Sequence, residues 1–113
     1  MLTAAGKLLY LNGGDVEPVK LVLHSAEPNA TGTTNRIGSL LACVFDDATV
    51  DERALSADVP TTIPSGITTA THFSAYNASD VALHISPLTT PRTGLIEGDT
   101  VTLKAADTKI TIS

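Results

Sequence analysis

Three histidines, His24, His72 and His84, and one cysteine, Cys43, are the side chains best equipped for metal binding or nucleophilic attack. Imidazoles from neighbouring strands can hold zinc. None of these three falls in a His-x-His or His-x-x-x-His spacing, and each takes the polar parity of a predicted strand. They read as ordinary strand-face residues. Cys43 lies in the apolar run Leu40-Leu41-Ala42-Cys43-Val44-Phe45. A reactive thiol needs a lowered pKa from a nearby base or a helix N-terminus, and this run supplies neither. Cys43 therefore reads as a small buried hydrophobe. As the lone cysteine it cannot form an intramolecular disulfide. Asp46, Asp47, Asp51 and Glu52 form an acidic group. They lack calcium-loop spacing and the glycine such a loop needs, so a solvated acidic connection is expected. Gly13-Gly14 reads as a turn, and no nucleophile elbow or phosphate loop is present. The residues thus point to no catalytic, cofactor-binding or metal-binding set, and to a protein that is not an enzyme.

Composition narrows the remaining classes. The chain has 113 residues, the size of one domain. Such a chain hides roughly 60–70% of its unfolded surface on folding, enough for a modest core. With 7 basic and 12 acidic residues its net charge is −5. No basic run exists to grip a phosphate backbone, so nucleic acid is not an expected partner. Aromatic residues make up 4% and Trp is absent, which argues against a platform for stacking bases or sugars. No apolar run approaches the ~20 residues of a membrane span, and no secretory leader is recognisable. Asn29-Ala30-Thr31 and Asn77-Ala78-Ser79 match the glycosylation triplet, but without a secretory route they read as chance matches. Charged residues are 17% of the chain, below the usual ~25%. Short neutral polar side chains dominate instead, and they suit faces that become covered, because desolvating a charge is costly.

The elements follow from periodicity. Thr3 can cap a short helix or arm within residues 1–14, with Leu2, Ala5, Leu8 and Leu9 near helical spacing and Asn12-Gly13-Gly14 as its stop. Residues 19–25 alternate as a half-buried strand, with Val19, Leu21 and Leu23 inward. Residues 26–36 carry Pro, Gly, Asn and Thr without an apolar period, the pattern of a long surface loop. Residues 39–45 predict a second strand. Residues 54–63, interrupted by Pro60, allow only a short or edge strand. Residues 68–76 and 81–86 alternate around the turn Asn77-Ala78-Ser79-Asp80, with Val81, Leu83 and Ile85 inward. The runs 100–104 and 108–113 predict a C-terminal hairpin. Seven or so short strands with little helix predict an all-β, antiparallel β-sandwich over residues 15–113, behind the N-terminal arm or helix. The expected core is Val19, Leu21, Leu23, Leu41, Val44, Phe73, Val81, Leu83, Ile85, Val101, Leu103, Ile110 and Ile112.

With no chemistry in view, the residues to weigh are those able to adhere. Pro87-Leu88-Thr89-Thr90-Pro91-Arg92-Thr93 is expected to be an extended connection stiffened by two prolines, suited to lie along another protein. The candidate contact set is Leu2, Leu8, Leu9 and Tyr10 of the arm, Pro28, Asn29 and Arg36 of the long loop, and Pro87, Leu88, Pro91 and Arg92 of this segment.

The order of features resembles a family of small tailed-bacteriophage virion proteins, labelled head decoration, minor structural or tail fibre proteins. The resemblance is carried by Leu88-Thr89-Thr90-Pro91-Arg92 and Gly98-Asp99-Thr100-Val101-Thr102, with support from residues 19–32 and 67–78; residues 38–58 depart from it. It implies a virion structural protein, foremost a capsid decoration (cement) protein on the outer head surface. Its implied partners are the major capsid protein and neighbouring copies of itself, as a homo-oligomer, with acidic residues steering it onto a basic capsid patch. A tail or tail-fibre component is the other role the family's labels offer.

Overall fold

The computed structural model describes residues 3–15, 17–46, 52–105 and 108–111. Helix α1 (Ala4–Leu11) is followed by β1 (Lys20–His24), β2 (Arg36–Ala42), β3 (Glu52–Ala54), β4 (Val59–Thr62), β5 (Ala70–Tyr76), β6 (Ala82–Arg92), β7 (Thr100–Leu103) and β8 (Lys109–Thr111). All pairings are antiparallel. The chain is mostly β with one short N-terminal helix, the class expected from its sequence.

One layer is a four-stranded sheet in the order β2-β1-β5-β6; the other elements form two ribbons, β3-β8 and β4-β7. Leu21 and Leu23 of β1 lie across from Ala75 and Phe73 of β5. These side chains meet Leu55, Val59, Ile63, Leu95, Val101 and Leu103 from the ribbon side in one buried cluster. Each large aliphatic side chain hidden this way contributes roughly 1.5–3 kcal/mol.

The opposite face of the sheet is also covered, which the alternation in the sequence did not predict. Val22, His24, Ser74 and Tyr76 are all buried. Loop 25–35 folds back across them. The Tyr76 hydroxyl donates to the Gly32 carbonyl, and Arg36 Nε donates to the same oxygen at 2.9 Å. The Arg36 guanidinium lies over the Tyr76 ring, 5.1 Å from its centroid, a cation–π geometry. Gly32 itself is buried. Its φ is +64°, and a Cβ there would stand 2.9 Å from the Tyr76 hydroxyl, so only glycine fits this turn.

Several expectations need correction. Among the described residues the predicted C-terminal hairpin does not form: β7 pairs with β4 and β8 with β3. After β7 the Asp58 carboxylate accepts the Ala105 N–H at 2.9 Å. That bond, with Lys104 beside it, holds the Asp58 carboxyl below its usual range. The proline segment is not a connection between strands. β6 runs through Pro87 and on to Arg92, because an edge strand tolerates residues that cannot donate to the ladder. Val44 is 67% exposed. Period two places Leu41, Cys43 and Phe45 on the core side instead, and Phe45 bridges to Leu55. Val19 and Val81 are half-buried. The side chains of Ile110 and Ile112 lie outside the described residues.

β6 also carries a bulge that shifts its inward set. Tyr76 faces Ala82 and Ala75 faces His84, leaving Leu83 as the extra residue. Past the bulge His84 shares the face of Ala75, and Ile85 lies across from Ser74 on the other face. The bulge frees backbone carbonyls, and Thr3 takes two of them. Its N–H donates to Leu83 O at 2.8 Å, and its hydroxyl donates to Ala82 O. The same hydroxyl accepts the Gly6 N–H at 2.9 Å as the N-cap of α1. One residue therefore starts the helix and fastens it to the sheet. Thr3→Val keeps the shape but strands a cap donor and a bulge carbonyl, and should lower stability by about 1–3 kcal/mol in urea denaturation. Unchanged stability would mean the helix is not anchored there.

Candidate functional site

The predicted contact residues separate into three groups. Leu2 lies outside the described residues. On α1, Leu8 is 62% and Tyr10 is 55% exposed, while Leu9 is half-buried. Leu11, absent from the predicted set, is 81% exposed. Ala4, Leu8 and Leu11 follow i, i+4, i+7 spacing and share one helix face. The three-residue step from Leu8 to Leu11 is legible in the sequence. Lys7 is the only charged residue of the helix.

The loop group is largely spent inside the molecule. Pro28 is buried. Asn29 is exposed, yet its side-chain oxygen accepts the Thr33 N–H at 2.8 Å and its amide donates to the Thr33 hydroxyl. Arg36 is held over Tyr76 as described. Pro28 and Arg36 lie in or under the closed loop, while Asn29 stays at its surface.

The third group follows β6. Pro87, Pro91 and Arg92 are exposed, and Leu88 is half-buried against the core. Leu88 and Arg92 line a cleft of about 240 Å³ against β7, with Phe73, Val101, Leu103 and Lys104. α1 meets β6 at residues 82 and 83, so helix and cleft are both arranged along one strand.

Burial dominates the surroundings of His24, Cys43 and His84. His24 is fully buried, which corrects its reading as a strand-face residue. Its Nδ1 lies 2.9 Å from the Thr34 carbonyl and its Nε2 lies 2.7 Å from Ser74 Oγ. A carbonyl only accepts, so Nδ1 carries the proton and Nε2 accepts from the serine. Burial lowers the His24 pKa, partly opposed by the Thr34 bond, and nearby Arg36 lowers it further. His84 is also buried, and its Nδ1 has no hydrogen-bond partner. Burial, with Arg53 adding to it, pushes its pKa down to about 4. His72 lies directly across from His24 in the β1–β5 pairing and is half-buried. Among the described residues no three His, Cys, Asp or Glu side chains are grouped to hold a metal ion. Burial pushes the Cys43 thiol up to about 11, leaving almost no thiolate at neutral pH. Asp46 is exposed; Asp47 and Asp51 lie outside the described residues. No helix among the described residues is long and apolar enough to cross a membrane.

No protein-family model matches this chain. The curated proteins likewise contain no match to it. The functional reading therefore rests on these surfaces and on the sequence resemblance.

His84 makes stability depend on pH. Its folded pKa of about 4 is below the ordinary 6.5, so the unfolded chain takes up the proton first. The stability is fully present above about pH 6.5 and drains away as pH falls toward about 4, by on the order of 3 kcal/mol. His24 acts in the same direction. His84→Leu removes both the proton site and the unpartnered Nδ1. Urea denaturation should find the variant comparable to the parent near about pH 7 and more stable by at least about 1 kcal/mol near about pH 4.5. A gap that does not widen on acidification would clear His84 of the effect.

Proposed function

We propose that this chain is a structural protein of a tailed-bacteriophage virion, foremost a capsid decoration protein that packs on the assembled head and stabilises it. The observation that carries the reading is the outward face of α1, where Leu8 and Leu11 are 62% and 81% exposed on a helix anchored to the sheet by Thr3. An apolar stripe on an anchored element is suited to a groove on a protein neighbour. The major capsid protein is the partner that the resemblance implies.

The mechanism is adhesion summed over many copies. Each copy would cover roughly 1,000–2,000 Å² per contact, and binding to the assembled shell but not to its separated subunits stabilises the shell by mass action. The low charge content keeps the desolvation cost of such contacts small. Buried histidines and a protonated thiol also fit a part that adheres and does not catalyse.

Leu8→Ser combined with Leu11→Ser tests the reading. Both positions face solvent, so the variant should fold as the parent does, as judged by circular dichroism and thermal melting. Its binding to purified heads lacking the protein should fall by at least about tenfold. Undiminished binding would remove the helix from the interface. Parent virions should carry hundreds of copies; a few to tens of copies per particle would favour a tail component instead.

A further inference from the structure

The cleft between the far half of β6 and β7 combines an apolar floor with positive charge. Phe73, Leu88, Val101 and Leu103 supply the floor, threonine hydroxyls the walls, and Arg92 and Lys104 the charge. Among the described residues no carboxylate lines it, although the chain as a whole carries −5. Lys104 shares its charge with Asp58 at 3.4 Å; among the described residues Arg92 makes no ion pair. A volume of about 240 Å³ is below the roughly 300–1,000 Å³ of sites that enclose small organic ligands. It suits one or two side chains of a protein neighbour carrying an apolar group beside an acid.

The molecule presents that chemistry elsewhere on its own surface. Ile96 is 67% exposed, an unusual position for an isoleucine, and Glu97 beside it is exposed as well. The turn that holds them is braced. Asp99 N–H donates to Ile96 O at 3.1 Å, and the Asp99 carboxylate accepts the Ile96 N–H at 3.0 Å. Gly98 N–H donates to Ile63 O at 2.9 Å, and Ile63 N–H donates to Asp99 O at 2.8 Å. Gly98 takes a φ of +90°, which closes the turn. A tip fixed in advance loses little freedom on docking. Asp99 is engaged within the turn, whereas among the described residues Glu97 makes no ion pair and can meet Arg92. The turn is bound to Ile63, and none of its residues lines the cleft of the same copy.

We propose that copies of this chain associate head to tail, with Ile96 of one copy seated on the apolar floor of the next copy's cleft and Glu97 paired with Arg92. The two patches differ, so the contact is heterologous; it closes a ring if the rotation allows and extends a filament if not. The association needs only the purified chain and is independent of the capsid reading.

Sedimentation velocity of the full chain, from about 1 µM to about 1 mM, tests it. The parent should form a reversible oligomer. Arg92→Glu and Glu97→Arg should each weaken association by at least about tenfold, through like charges brought face to face. Ile96→Ser should weaken it too. All three positions are exposed, so circular dichroism should match the parent. Mixing the two charge variants in equal amounts should restore association, because each then supplies the charge the other's patch lacks. A parent that stays monomeric overturns the proposal. So does an oligomer indifferent to the single substitutions, which would place the contact on another face such as α1, and so does a mixture that fails to recover.

Discussion

Everything in this fold depends on covering both faces of one four-stranded sheet. β1 and β5 are its central strands, and long stretches of them are buried on successive residues, which a sheet with one wet face does not allow. The inner face is closed by the two ribbons through aliphatic side chains. The outer face includes His24, Ser74 and Tyr76, so apolar packing alone would leave buried polar groups without partners. Loop 25–35 provides those partners from its backbone, at Thr34 and Gly32. The loop is therefore a structural lid, held down through the backbone carbonyls of Gly32 and Thr34.

The sequence revealed what depends on short-range pattern. Alternation located β1, β5 and the start of β6; Thr3 and the Asn12-Gly13 pair bounded α1; and Asn77 to Asp80 formed the expected turn. Readings that depend on distant partners failed. His24 and His84 occupy polar parity in the chain and lie buried in the molecule, one under a loop and one past a bulge that shifts the register. No local pattern announces that Leu83 is the extra residue, because Thr3, eighty residues earlier, takes the carbonyls the bulge releases. Two alternating runs with a short spacer read as a hairpin, whereas each pairs with a strand far earlier in the chain. Among the candidate contacts, the helix and the β6 segment emerged as exposed surface, while Arg36 and Pro28 became interior parts of the lid.

β6 is the strand on which helix, prolines and cleft come together. It receives α1 at its bulge, accommodates two prolines along its outer half and forms a wall of the cleft. The prolines blunt the edge, since each withholds a backbone donor that a stray strand would need. Contacts made along such an edge depend on side chains, which discriminate between partners more sharply than a bare ladder of amides. The exposed apolar residues are arranged to match: Leu8 and Leu11 on a helix tied down at its first turn, and Ile96 at the apex of a braced bend.

The routing of the last strand affects how the molecule comes into being. β8 completes the ribbon with β3, joining Ala54 to Lys109 across half the chain, and Leu55 N–H finds its acceptor only at Thr108. Topologies governed by such remote pairings search slowly, on scales of milliseconds to seconds. During synthesis the apolar interior must wait, one side uncovered, until β8 has emerged to pair with β3. The vulnerable moment of this protein is thus its birth, when an uncovered apolar face can be satisfied by the wrong neighbours.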